Sequence, residues 1–508
     1  MTRNAFTSSR FILLLTLLCP AALRAEFDPN SEIIGRWTPG ESTAQAQIER
    51  LQQGGWTSVL LAWPGSEASK ALAGAARQSG LTPIAELGVV DSLEHARQSA
   101  ASAREAGFQG IAVTAGGALN SAQALRDFAA EPGGHDVLVF LDREQVAWDV
   151  GGAHPILATG LWPGVRAPPN VPGRGMEVAT ASREPWLDTN PYLIGYLRGM
   201  FPQRPAVLGY RPDKAAGISG GRAVPHESVE VALVEAFLAG GNCVLSLPDD
   251  FRSALLRDDG DAVSAWKSLG RTARFLQENA EKIRRPNRSR IAAAAGSLAE
   301  SGEILNLMYR RSLFPVVHPA ADVPVLDPSR VRGFVYANLD APSARVLRRI
   351  FGYVQAGGLL VTAPSGVESG KWWLAGGASK TRSDRDRDHF ALGNGRIVAY
   401  HDPVLDPSEF ALDVVDLIGV QTRDVRLWNA PTVVGSAFQA GRTAAQVHLV
   451  NYDTPLDQGF PTRVDGVFRR ATVYEPNGEI RRLKAVKRGE ATEIWVDRIG
   501  RFALIEVR

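Results

Sequence analysis

From Glu32 to about Arg285, short apolar runs alternate with stretches whose apolar residues recur at the helical period, the pattern of repeated βα units. The runs lie at residues 33–37, 58–63, 83–87, 110–114, 137–141, 156–159, 206–210 and 243–247, and they predict eight strands. Helices are predicted at 43–53, 93–106, 121–129, 228–239 and 263–283, and Gly54, Gly80, Gly107 and Gly240 stand where helices commonly terminate on glycine. Eight strands with interleaved helices over about 250 residues match the usual size of a (β/α)8 TIM-like barrel better than an open doubly wound sheet. The Pro- and Gly-rich stretch 163–205 interrupts the pattern and leaves room for an extra strand at 178–180.

The basic, polar segment 282–290 separates two apolar-periodic regions and reads as a linker. Beyond it, apolar runs at 291–295, 331–337 and 359–363, with a helical stretch at 343–355, predict a small α/β domain with a parallel sheet. After Ser369 the texture changes. Asn394-Gly395 and Asn477-Gly478 suit tight hairpin turns, and alternation at 445–452, 471–474, 492–496 and 502–507 predicts a small β-sandwich from about Asp424. Lys380 to Asp388 alternates in sign and reads as a solvated loop. The expected order is a signal peptide over 1–25, a barrel over 26–285, an α/β domain over 286–422 and a β-sandwich over 423–508.

A chain of 508 residues is too long for one core, which agrees with that division. The formal net charge of +2 provides no electrostatic case for nucleic acid or an acidic membrane as partner. Arg3 and Arg10, the apolar run from Phe11 to Leu18 and the small residues up to Ala25 follow the order of a secretory signal, with cleavage expected after Ala25. Leu18 before Cys19 argues against a lipoprotein anchor. No later apolar stretch reaches the roughly 18 residues needed to span a bilayer, so a periplasmic or released protein is expected. Loss of the signal leaves Cys243 alone, which excludes an intramolecular disulfide and a cysteine metal cluster; within its apolar run it reads as a small buried hydrophobe.

In a barrel the site lies at the C-terminal strand ends. The residues there are Trp37, Trp63, Glu86, Thr114, Asp142, Glu144, Trp162, Tyr210, Asp249 and Asp250, and the 181–190 loop adds Glu184, Trp186 and Asp188. Aromatic faces pack against sugar rings and carboxylates bind hydroxyls, so this rim suits a carbohydrate. Glu86, Asp142, Glu184 and Asp188 are the catalytic candidates; Trp37, Trp63, Trp162, Trp186 and Tyr210 are the substrate-binding ones. Glu86 and Asp142 have the alternatives of capping a helix or pairing with an arginine, and Glu184 and Asp188 of forming a loop or starting a helix. N-capping is the better reading for Asp249 and Asp250, and the three tryptophans at 37, 63 and 162 have the alternative of barrel packing, with rim exposure favoured for Trp37 and Trp63. His95, His226, His318 and His448 show no metal-ligand spacing, and neither a G-x-S-x-G elbow nor a phosphate-binding loop is present. No metal or organic cofactor is expected.

The layout resembles the β-galactosidases of glycoside hydrolase family 42 and their relatives, most specifically in 353–361 (Tyr-Val-Gln-Ala-Gly-Gly-Leu-Leu-Val) and 447–452 (Val-His-Leu-Val-Asn-Tyr). The resemblance implies a catalytic barrel, a glutamine-amidotransferase-like (flavodoxin-like) α/β domain used for trimerisation and a small β domain. In this chain the middle region holds no Cys, so its implied role is structural, and a trimer is implied by analogy alone. Two departures bear on catalysis. The family places its acid in an Asn-Glu pair after the fourth strand, where this chain has Ile111-Ala112-Val113-Thr114-Ala115-Gly116, and its nucleophile after the seventh, where this chain has Arg211-Pro212-Asp213. The expected function is that of an exported glycoside hydrolase or hydrolase-like protein acting on a poly- or oligosaccharide, retaining or inverting. The alternatives are a catalytically inactive carbohydrate-binding barrel of the cell envelope and a purely structural envelope protein. Paired acids across the mouth would favour the first.

Overall fold

Parallel strands covered on both faces are apolar at nearly every position, and each of the eight predicted runs forms such a strand. The computed structural model describes residues 27–130, 136–166, 178, 183–210, 224–283, 285–366, 370–419, 423–441 and 443–508. Residues 1–26, with the segment expected to be a signal peptide, and Arg211-Pro212-Asp213 lie outside the described residues. In chain order come β1 (Ile34–Arg36), α1 (Ala44–Gln53), β2 (Ser58–Ala62), α2 (Glu67–Gln78), β3 (Thr82–Glu86), α3 (Leu93–Glu105), β4 (Gly110–Thr114), α4 (Ala122–Ala129), β5 (Asp136–Leu141) and β6 (His154–Gly160). A short hairpin of β7 (Gly164–Val165) and β8 (Leu187–Asp188) follows, then α5 (Pro191–Met200), β9 (Val207–Tyr210), α6 (Ser228–Leu238), β10 (Asn242–Ser246), α7 (Asp249–Leu256), α8 (Gly260–Glu278) and α9 (Ala280–Ile283). Strands β1 to β6, β9 and β10 close into a parallel barrel in the order β1-β10-β9-β6-β5-β4-β3-β2. Val178 makes a single bridge to Pro185, and the rest of 178–180, where the sequence left room for an extra strand, lies outside the described residues.

Local chemistry starts the helices where the sequence places them. Thr43, Ser66, Ser92 and Ser121 cap α1 to α4, each hydroxyl accepting the N–H three residues on. Pro248, not an aspartate, caps α7; Asp249 and Asp250 sit in its first turn, where the helix dipole favours acids. The barrel interior is filled by Ile34, Leu60, Ile84, Ala112, Leu138, Phe140, Ile156, Val207 and Val244, the larger of which contribute about 2 kcal/mol each by leaving water. Phe27, against His154 at the start of β6, closes the N-terminal end.

The second region holds β11 (Ile291–Ala295), α10 (Leu298–Arg310), β12 (Val316–Pro319), β13 (Gly333–Ala337), α11 (Ala344–Gln355), β14 (Leu359–Ala363), β15 (Ser379–Ser383), β16 (Arg387–Leu392), β17 (Gly395–Tyr400) and α12 (Pro407–Ile418). Its sheet runs β12-β11-β13-β14-β17-β16-β15, parallel up to β17 and antiparallel beyond. The segment from Lys380 to Asp388, expected as a loop, instead supplies most of edge strand β15 and the start of β16. An edge strand with both faces exposed needs no apolar alternation, and its charges find local partners: Lys380 and His401 both pair with Asp388.

The C-terminal region packs the sheet of β18 (Val425–Leu427), β21 (Phe460–Asp465), β25 (Ala491–Val496) and β24 (Ala485–Arg488) against that of β19 (Val433–Gln439), β20 (Ala445–Asn451), β26 (Phe502–Val507), β22 (Ala471–Tyr474) and β23 (Ile480–Leu483). Ala445, Val447 and Leu449 point into its core. Strand β20 also packs on α6, which is buried at every position because β10 lies on its other side. The basic segment expected as a linker is held down: Arg288 and Arg290 both pair with Asp465, and the Arg288 N–H bonds the Ala437 carbonyl.

Candidate functional site

Inward direction decides which strand-end residues reach the mouth of a barrel, because side chains alternate along each strand. Ile34, Ile84, Leu138 and Val207 face the interior. Two residues further along the same four strands come Arg36, Glu86, Phe140 and Gly209, one layer of four from alternate strands. Contacts join its members. Arg36 Nε donates to both Glu86 oxygens, at 2.7 and 3.0 Å. The Arg36 guanidinium carbon lies 5.0 Å from the Phe140 ring centroid. Phe140 takes the space left by Gly209, where a Cβ would come within 3.3 Å of its ring.

The layer above holds Ala62, Thr114, Ala158 and Ser246, and Arg36 Nη1 reaches up to Ser246 Oγ at 2.6 Å. Arg36 and Glu86 keep 24% and 15% of their side-chain surface exposed, so apolar filling gives way to a charged floor at this level. Among the described strand residues of these two layers, Glu86 is the one carboxylate. A carboxylate held this way still has lone pairs for sugar hydroxyls, and the guanidinium and the serine supply donors beside it.

The other sequence candidates are dispersed. Asp142 follows β5 on the row of Leu138 and Phe140, and it is exposed, with its N–H bonded to Gln145. Asp188, 4% exposed, bonds Arg166 at 2.8 Å, and Glu184 pairs with Arg311. Trp186 is half-buried between Arg310 and Arg166, 3.9 and 5.1 Å from its ring centroid. Glu86, Glu184 and Asp188 therefore bind three different arginines. The aromatic rim expected from Trp37, Trp63, Trp162 and Tyr210 is corrected: all four are buried. Trp37 stands edge-on to Trp56, Trp63 meets Phe108 and Trp162 stacks on Tyr210 at 5.0 Å. Trp37, Trp63 and Tyr210 lie one residue past an inward position, so alternation turns them into the helix layer, and the Tyr210–Trp162 stack buries Trp162 there.

Two groups that sequence reasoning missed carry much of the local electrostatics. Arg36 was concealed inside an apolar run, although its even spacing from Ile34 marks it as inward. Glu235 lies in α6, an otherwise apolar helix, and such an acid must find partners. It is fully buried and accepts from the Asn190 N–H at 3.1 Å, from the Asn190 side chain, from Tyr210 Oη at 3.2 Å and from Tyr452 Oη at 2.8 Å. Burial pushes its pKa up to about 7 against these hydrogen bonds. Asn190 in turn holds both the N–H and the carbonyl of Leu161. Glu235 thus ties the turn after β6 to the C-terminal β region.

A groove of about 940 Å³ lies elsewhere, between helices α6 to α8 and the turns around Glu475 and Gly500. Two of its acids have local roles, Asp259 capping α8 and Glu230 accepting from Thr272 at 2.6 Å, and it lies outside the barrel wall. The mouth is the better candidate because the strand ends converge there. Among the described residues no group of three His, Cys, Asp or Glu side chains is placed to hold a metal ion, and no helix is long and apolar enough to cross a membrane.

No protein-family model matches the chain, and no curated protein sequence does. Solved structures do. The α-L-fucosidase isoenzyme 2 from Paenibacillus thiaminolyticus matches with a TM-score of 0.56 and 11% identity, covering 94% of this chain and 99% of that one. A catalytic mutant of a glycoside hydrolase family 42 β-galactosidase from G. stearothermophilus matches with a TM-score of 0.54 and 10% identity, over 94% and 98%. Another structure of that β-galactosidase has a TM-score of 0.52 at 11% identity. At such identities the likeness is one of fold: the chain has the architecture of these carbohydrate-active hydrolases along nearly its whole length.

Proposed function

We propose that this chain is an exported, hydrolase-like protein that recognises an oligo- or polysaccharide at the barrel mouth, with Glu86, Arg36 and Ser246 as the groups that bind sugar hydroxyls. The observation that carries the reading is the charged layer itself: an inward-facing carboxylate gripped by an arginine, on top of an otherwise apolar barrel filling, in a fold shared with glycosidases. Recognition fits these residues better than cleavage. Hydrolysis by two carboxyl groups needs a second acid about 5–9.5 Å from the first, and among the described residues the inward rows of the two upper layers supply Glu86 alone.

One observation favours cleavage as the second reading. Asp142 is the next residue of the inward row of β5 and is exposed to solvent, so it is the described acid best placed to face a substrate held by Glu86. A panel of plant, bacterial and storage polysaccharides separates the readings. Recognition is expected to give binding without product release, with Glu86→Gln weakening binding at least tenfold and Asp142→Asn leaving it within about twofold. Product release abolished by either substitution would establish a hydrolase. Glu86→Gln leaves the mostly buried Arg36 without its carboxylate, which costs about 3–5 kcal/mol, so its binding is compared after circular dichroism has shown it folded.

Export rests on the arrangement of residues 1–25. The mature protein purified from its host is expected to begin at Glu26. An intact Met1 after secretion would contradict cleavage.

A further inference from the structure

Where the loop after β6 meets α10, α12 and the C-terminal β region, a pocket of about 150 Å³ is lined by Arg310, Arg311 and Arg423 together with Leu412, Val415 and Val433. The pocket is smaller than the roughly 300–1,000 Å³ of clefts that bury drug-sized ligands, so it suits one small unit. Its positive side is partly offset by Asp188 and Glu303 near Arg310 and by Glu184 and Asp416 near Arg423. Arg311 pairs with Glu184, the one acid among the described residues of the lining. Arg423 donates from Nη2 to the Arg311 carbonyl, but its buried Nε has no hydrogen-bond partner, and neither do the buried Nε and Nη1 of Arg310. Buried donors without partners are uncommon in native proteins and call for an explanation. Burial, with neighbouring guanidinium groups adding to it, lowers both Arg310 and Arg423 to about 10. Stacking on Trp186 at 3.9 Å holds the Arg310 fork in place.

We propose that this pocket binds the carboxylate of an acidic sugar unit, with Arg310 and Arg423 as its donors and the sugar body against Leu412, Val415 and Val433. Planar guanidinium forks match a carboxylate, and an apolar wall favours an anion that carries carbon over one that is polar on every side. The assignment deepens the saccharide reading and rests on it for the nature of the ligand body, while the anion specificity stands on the arginines alone. A uronic acid residue is the ligand class that meets both requirements.

Calorimetric titration of the full mature chain with galacturonate and glucuronate, alongside galactose, glucose and inorganic phosphate, tests it. Uronates are expected to bind at least tenfold more tightly than their neutral counterparts and than phosphate, and Arg310→Gln and Arg423→Gln are each expected to weaken them at least tenfold in folded protein. Uronates that bind no better than neutral sugars, phosphate that binds as well as a uronate, or uronate binding that survives both substitutions would overturn the assignment. If neither variant folds, the wild-type comparison decides. Arg310→Gln is expected to leave binding of neutral oligosaccharide at the mouth unchanged, so failure of the mouth reading and failure of this one are separately visible.

Discussion

Glu235 is a carboxyl without access to water, and its four hydrogen bonds do not offset its burial fully, which leaves its pKa at about 7. The unfolded chain has it near 4.5, so between those values the native state holds the extra proton and this residue makes stability fall as pH rises, by on the order of 3 kcal/mol in all. His448, buried against Phe438 on the same face of β20, acts in the opposite sense. Burial lowers it from 6.5 to about 3, so it adds stability above that window that is lost as pH falls through it. The two oppose one another between about pH 4.5 and 6.5. In urea melts across pH 4–8, the difference between wild type and Glu235→Gln is expected to isolate the falling component, and the difference between wild type and His448→Phe the rising one. A Glu235→Gln difference curve flat from pH 4.5 to 7 would mean that this carboxyl titrates normally.

At this scale the sequence was legible wherever parity was applied and misleading where it was not. Glu86 stood out as a candidate because it ends a strand, and the structure pairs it with Arg36 at the barrel mouth. Trp37, Trp63 and Tyr210 were placed on the rim by the same rule, although each is an odd step from an inward residue and so turns toward the helices. Arg36 was missed because an arginine in an apolar run looks like an interruption, when its spacing from Ile34 puts it in the barrel.

Among elements, all eight barrel strands could be read from apolar runs, because a parallel sheet buried on both faces has no polar alternation to confuse with a loop. Strand β15 could not, because an exposed edge strand carries no hydrophobic signature and is held by its backbone ladder to β16. Helix packing supplies a sharp test of the fold. Gly270 lies inside α8, where Ala would ordinarily be favoured by about 1 kcal/mol. A Cβ there would sit 1.7 Å from the Gln53 carbonyl oxygen at the end of α1. Backbone cannot yield as a flexible side chain can, so overpacking outweighs propensity. Gly270→Ala is expected to destabilise by about 3 kcal/mol in chemical denaturation; a stabilised variant would show that α1 and α8 are not in this contact.

For the whole molecule, the three regions are joined through buried polar groups as well as apolar ones. Tyr452 follows β20 and reaches Glu235 on the barrel, whose partner Asn190 holds the turn after β6, and Arg288 and Arg290 lock the connecting segment to Asp465. The order of regions was readable from changes in periodicity. Their contacts were not, since a residue such as Tyr452 looks no different from any strand-end tyrosine until its partner in α6 is known. The fold is shared with glycosidases over 94% of the chain, and among the described residues the charged layer of the mouth is built from Arg36 and Glu86, on β1 and β3. A crystal structure with the tightest-binding oligosaccharide of the polysaccharide panel tests the mouth assignment most directly. Sugar hydroxyls within hydrogen-bond distance of Glu86 and Arg36 are the expected result; a ligand seated instead in the groove between α6–α8 and the β region, with the mouth unoccupied, would contradict it.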